Sequence, residues 1–87
     1  ELGFVNEVVP QGQALEAAKR WAGLILECSP MAIRASKQSV YRSLDEPTLQ
    51  AAMTTTYPMV KANLESQDYI EGPRAFAERR KPNWQNR

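Results

Sequence analysis

The chain has 87 residues, 43% of them hydrophobic and 24% charged, and 11 basic against 10 acidic side chains leave a net charge of +1. Such a length supports one domain at most, burying ~60–65% of the surface its unfolded form exposes. The composition is too apolar for a disordered segment, and the longest uncharged apolar stretch, Trp21 to Leu26, falls well short of a membrane span. The near-neutral balance gives no bulk reason to expect nucleic acid or a lipid surface as partner. A single cysteine, Cys28, makes an internal disulfide impossible and suits a reducing, cytoplasmic home. The absence of histidine removes the commonest metal ligand and the commonest base at neutral pH. The chain opens on Glu1 with no signal-type segment behind it, so a processed chain or a piece of a longer protein is expected.

Leu2 to Val9 reads L-G-F-V-N-E-V-V, with the β-branched and aromatic content of a short strand. Pro10, Gln11 and Gly12 end it in a turn. A lone strand cannot satisfy its own backbone groups, so its ladder partners are expected outside this chain. Gln13 to Cys28 is the first predicted helix, with Ala14, Ala18, Trp21, Ala22 and Ile25 recurring at helical steps. Trp21 is expected in the core, Glu16 and Arg20 as an outward i,i+4 pair, and Cys28 as an inert, partly buried thiol.

Ser29-Pro30 marks the next start: serine caps the amides, and proline fits the first helical position, where no N–H is needed. Met31 to Leu44 follows, with Ile33, Ser36, Val40, Tyr41 and Leu44 on or near one face. Asp45-Glu46-Pro47 repeats the punctuation and opens a third predicted helix, Pro47 to Ser66. Leu49, Met53, Thr56, Val60 and Leu64 give it a near-heptad packing face. Pro58 lies inside this helix and predicts a kink near Thr54 to Tyr57, eased by the β-branched run Thr54-Thr55-Thr56. Asp68 and Glu71 have capping-box spacing at the head of a fourth helix, which Pro82 stops. Gly72-Pro73 falls in its early turns, and Tyr69, Pro73, Phe76 and Arg80 share a side. Trp84 lies in the polar tail beyond, and a large aromatic there is expected to pack back on this chain or another.

No catalytic constellation is present. The serines and Cys28 have no histidine beside them, and there is no P-loop or G-x-G-x-x-G. The carboxylate pairs Asp45-Glu46 and Asp68…Glu71 both sit at helix starts, where capping and the helix dipole account for them better than acid–base catalysis. No metal site is expected. The one charge asymmetry is Arg79-Arg80-Lys81: residues 66–87 carry five basic and three acidic side chains, against six and seven in residues 1–65. A solvated helix end explains this cluster; a phosphate contact, with Phe76 one turn back, is the sharper reading.

Three stretches, in order, carry a resemblance. Leu2 to Pro10 resembles G-L-V-N-x-V-V-P, with Phe4 where leucine is usual. Ser29 to Lys37, S-P-M-A-I-R-A-S-K, resembles S-P-x-A-x-x-x-x-K. Ser66 to Trp84, S-Q-D-Y-I-E-G-P-R-A-F-A-E-R-R-K-P-N-W, resembles S-x-D-x-x-E-G-x-x-A-F-x-E-K-R-x-P-x-W. Together they resemble the C-terminal end of the enoyl-CoA hydratase/isomerase family, the crotonase superfamily, over essentially the whole chain.

The resemblance implies an all-α architecture of four helices after a short N-terminal strand remnant. It implies that residues 1–12 end the crotonase core and that residues 13–87 form a helical trimerisation and CoA-lid domain. Family members hold an acyl-CoA thioester as substrate, polarise its carbonyl with two backbone N–H groups, and move protons with one or two carboxylates; those parts lie upstream of this region. It further implies a homo-oligomer, trimer or dimer of trimers, with no cofactor beyond the CoA of the substrate. Phe76 and Arg79 take the CoA-contacting positions, Arg79 standing where the family's lysine reaches a nucleotide phosphate; arginine binds phosphate as well. Glu71 falls on the glutamate of the E-G pair and is read here as a cap. The competing expectation is a free-standing helical interaction module with no CoA chemistry. Either way the chain alone is expected to expose apolar faces, Leu49 to Leu64 foremost, and to self-associate.

Overall fold

The computed structural model describes residues 2–87. It contains five helical segments: α1 (Ala14–Leu26), α2 (Pro30–Ser43), α3 (Leu49–Thr54), α4 (Pro58–Leu64) and α5 (Gln67–Ala77). The all-α class follows the expectation, with α3 and α4 as the two halves of the third predicted helix. Residues 2–10 form no β-ladder among the described residues. The strand-like composition there has no second strand to bond to, and a strand exists only as part of a ladder. Pro10 to Gln13 close a turn through the Gln13 N–H to the Pro10 carbonyl (3.1 Å), with Gly12 at φ +83°. Only glycine takes that left-handed geometry without a steric cost.

α2 starts as its sequence dictates. Ser29 accepts a hydrogen bond from the Ala32 N–H (3.3 Å) and Pro30 occupies the first helical position. The third helix departs from expectation at both its start and its middle. Its N-cap is Thr48, whose hydroxyl accepts from the Ala51 N–H (3.0 Å), not Asp45 or Glu46. Those two residues instead prolong the end of α2, donating backbone N–H groups to Arg42 and Ser43. The kink expected near Pro58 is a full break. The residue before a proline is pushed out of the helical region, and Tyr57 is extended (φ −76°, ψ 144°), as is Thr55. Pro58 then starts a new helix instead of bending an old one. The near-heptad face is therefore interrupted, and Leu49 and Met53 are exposed.

α2 packed against α4 is the main helix pair. Gln38 reaches across it and accepts the Met59 N–H (2.8 Å), taking one of the free amides at the head of α4. Tyr57 is buried in the corner and donates its hydroxyl to the Ala52 carbonyl (3.1 Å) at the end of α3. Its hydroxyl is pushed above its ordinary value, chiefly by desolvation.

The apolar core amounts to Ala35, Tyr57 and Ala75. The helices form a slab of 43 × 41 × 19 Å with an accessible surface of 7477 Å². A compact monomer of this mass would expose only about 5,200 Å². The radius of gyration is 16.4 Å, against about 12 Å for a self-contained domain of this length. α1 shows why. It buries none of its residues, and Leu15, Leu24, Ile25 and Leu26 are all at least half exposed. Trp21, expected in the core, is 40% exposed and donates its Nε1–H to Glu7 (2.8 Å). Arg20 pairs with the same Glu7, not with Glu16. The Trp21 bond first, then Arg20, holds the Glu7 carboxyl below its usual range. Cys28 is exposed rather than partly buried.

Candidate functional site

The residues singled out by the basic C-terminal motif lie on α5 and the segment after it. α5 is capped by Ser66, which accepts the Tyr69 N–H (3.1 Å). The two amides ahead of it, those of Gln67 and Asp68, donate to the backbone oxygen of Arg87 (2.7 and 3.1 Å). The tail thus folds back over the head of its own helix. Asp68, 1% exposed, completes the clasp: its two carboxylate oxygens accept the Gln85 N–H (2.7 Å) and the Asn86 N–H (3.0 Å). Asn86 is also held by Arg34 from α2. Trp84 lies half-buried between two elements. Its Nε1–H donates to the Glu27 carbonyl at the end of α1 (2.9 Å), and its ring lies over Gly72. The tail aromatic therefore does pack back, and on this chain.

The expected capping box of Asp68 and Glu71 is not formed. Ser66 takes the capping role, Asp68 binds the tail, and Glu71 turns to the other end of the helix. There Arg80 grips it with both terminal nitrogens, Nη1 to Oε1 at 2.5 Å and Nη2 to Oε2 at 3.0 Å. Glu71 also accepts the Asn83 N–H (2.8 Å). Arg80 spends its Nε on Glu78 (2.5 Å). The Arg80 bonds first, then the Asn83 amide, hold the Glu71 carboxyl down at about 2 instead of 4.5. The same pairing raises the Arg80 guanidinium above its ordinary value.

α5 ends at Ala77, earlier than Pro82. The Arg80 N–H bonds the Ala75 carbonyl (3.0 Å) and the Arg79 N–H the Phe76 carbonyl (3.1 Å). This is the Schellman arrangement, and it requires a left-handed residue at the position Arg79 occupies, φ +54°. Glycine is the usual resident; a side chain there costs roughly 1–2 kcal/mol. Proline is also deeper than the early turns expected for it. Pro73 lies inside α5 and forfeits one helical bond.

The structure brings both proposed contact residues together at this turn. Phe76 is 87% exposed on the last turn of α5, and Arg79 follows it, also exposed. The basic cluster is divided. Arg80 is neutralised by two glutamates, while Arg79 and Lys81 make no side-chain hydrogen bond or ion pair among the described residues. An open depression of about 500 Å³ lies against the Arg80–Glu71 pair, bordered by Ile70, Arg74 and Asn83. No group of ligands able to hold a metal ion occurs among the described residues, and no helix among them is long and apolar enough to cross a membrane.

The arrangement is a helical layer that fastens its own end, leaves its apolar faces open, and offers exposed Phe76 and Arg79, unpaired among the described residues, at an outer turn. The family profile described as enoyl-CoA hydratase/isomerase matches residues 1–87. Enoyl-CoA hydratase EchA19 of Mycobacterium tuberculosis is 42% identical over the whole chain, which spans 32% of that protein. Carnitinyl-CoA dehydratase of Salmonella typhi is 37% identical over 98% of the chain and 34% of its own length. The crystal structure of an enoyl-CoA hydratase/isomerase from Mycobacterium paratuberculosis superposes with a TM-score of 0.87 at 34% identity, over 98% of this chain and 33% of that one. The chain belongs to the enoyl-CoA hydratase/isomerase family and spans about a third of the length of these relatives.

Proposed function

We propose that these residues are the C-terminal lid and contact region of an enzyme that acts on acyl-CoA thioesters, by hydration or by a shift of the double bond. The relatives named above carry out enoyl-CoA or carnitinyl-CoA chemistry by name. The reaction itself belongs to residues outside this chain: an oxyanion hole for the thioester enolate and the carboxylates that move protons. The part assigned to this chain is binding. Phe76 lies against the acyl-CoA, and Arg79 pairs with a phosphate of its nucleotide end. A guanidinium makes two parallel hydrogen bonds to such an anion. The slab's uncovered apolar surface fits the remainder of the enzyme and neighbouring copies in a trimer or a dimer of trimers.

One observation carries this reading. Arg79 is held in a left-handed conformation beside an almost fully exposed phenylalanine, with its guanidinium unengaged while its neighbour Arg80 is paired twice. The test uses two samples and crotonyl-CoA. The full-length protein should turn the thioester over, and residues 1–87 alone should not. Turnover by the 87 residues above buffer, or none by the full-length protein with any short enoyl-CoA, overturns it.

A further inference from the structure

We propose that Glu71 is a positioning residue for Arg79, acting through Arg80; this rests on the assignment of Arg79 to a CoA phosphate. The argument starts from the backbone. A left-handed arginine persists only where its surroundings over-determine it. The Arg79 and Arg80 N–H groups tie the turn on both sides of Arg79 to the Phe76 and Ala75 carbonyls. Beyond Arg80 the hold on the turn passes to side chains. Arg80, the next residue, is fixed to both oxygens of Glu71, and the same carboxylate accepts the Asn83 N–H. One glutamate thus fastens both ends of the stretch from Arg80 to Asn83. Its side chain is only 16% exposed, and its Arg80 partner 39%, so the pair is partly shielded from solvent competition.

Neutralise Glu71 and Arg80 keeps only Glu78 and the Lys81 carbonyl, both within two residues of it on the same turn. Arg79 then relaxes toward negative φ, and its side chain leaves the direction in which it meets the ligand. Glu71 touches no ligand in this account; its effect passes entirely through Arg79.

The full-length enzyme tests this with two substrates, a 2-enoyl-CoA and the corresponding enoyl-pantetheine, which lacks the nucleotide. Arg79→Ala should raise KM for the CoA substrate about ten-fold, as expected for the loss of a charge-assisted phosphate contact, with kcat little changed and no effect on the pantetheine substrate. Glu71→Gln should raise KM for the CoA substrate about five-fold, leave the pantetheine substrate alone, and add nothing in the Arg79→Ala background. If Arg79→Ala changes neither substrate, the phosphate assignment itself fails, and the proposal falls with it. If Arg79→Ala behaves as stated but Glu71→Gln has no effect, or acts equally on both substrates, or still acts when Arg79 is absent, Glu71 is merely structural and only this proposal is overturned. Should Glu71→Gln not fold, Arg80→Lys decides by the same pattern, since it loosens the pair while keeping its charges.

Discussion

The two ends of this chain behave oppositely. At the C-terminal end, α5 and residues 78–87 bind each other through a dense polar network: Asp68 to two tail amides, Arg87 to two helix amides, Glu71 to Arg80 and Asn83, with Trp84 reaching further to Glu27 at the end of α1. At the N-terminal end, residues 2–10 and α1 carry the strongest apolar pattern in the sequence and bury almost none of it. Polar clasps are satisfied within the chain because their partners lie close in sequence, mostly within 20 residues. Apolar stripes need a broad facing surface, and here that surface is not supplied by the chain itself. The difference separates a part that closes on itself from a part that stays open.

The largest effect expected concerns the open end. The accessible surface exceeds that of a compact monomer by about 2,000 Å² or more, as much as a stable protein–protein interface buries. Residues 1–87 alone should therefore self-associate, and light scattering at tens of micromolar should show it. A strict monomer there would mean the slab closes on itself in solution.

The clasped end breaks next. Asp68→Ala removes a buried acceptor from two tail amides and leaves them without partners. This should lower the local opening energy of the tail by about 3 kcal/mol. Hydrogen exchange at Gln85 and Asn86 would then quicken by roughly 100-fold, while α2 and α4 keep their protection. Unchanged exchange at those two amides would show that the tail is held elsewhere.

A gentler probe is acid. Glu71 stays ionised in the folded chain down to about 2, against 4.5 ordinarily. A carboxylate with a depressed folded value contributes stability that is complete above the unfolded value and disappears as pH falls toward the folded one. Thermal stability should thus decline more steeply between pH 4.5 and 2 in the native sequence than in Glu71→Gln. Parallel slopes would remove the Arg80 pair as a source of stability.

The smallest change is at the junction between these regions. Thr48→Ala deletes the N-cap of α3 and should cost about 1 kcal/mol, with Thr48→Ser restoring most of it. If alanine is neutral by chemical denaturation, capping there is left to water.

Legibility in the sequence followed the range of the interactions. The helical class, the Ser29-Pro30 start and a disruption at Pro58 are local effects of hydroxyl capping and proline geometry, and each was readable from a few neighbours. Phe76 and Arg79 came to attention through the resemblance of the final motif to the family's, not through composition. Thr48 is a local cap masked by Asp45-Glu46-Pro47, which reads as a stronger start signal in the sequence. The spacing of Asp68 and Glu71 permits a cap, and the sequence offers nothing that argues against one. Their real partners, 9 to 18 residues away, are tail groups whose return depends on the fold.

The order of amino acids, by itself, determined the helical class, the Ser29-Pro30 start, a disruption at Pro58 and the family to which the chain belongs, because backbone sterics and short-range hydrogen bonds act between near neighbours. Only the tertiary structure decided which carboxylate serves which partner, that Arg79 stands free in a left-handed turn while Arg80 is bound, and that the apolar stripe of α1 remains uncovered. Those outcomes depend on segments meeting across space, where several partners of equal chemistry compete and geometry alone chooses among them.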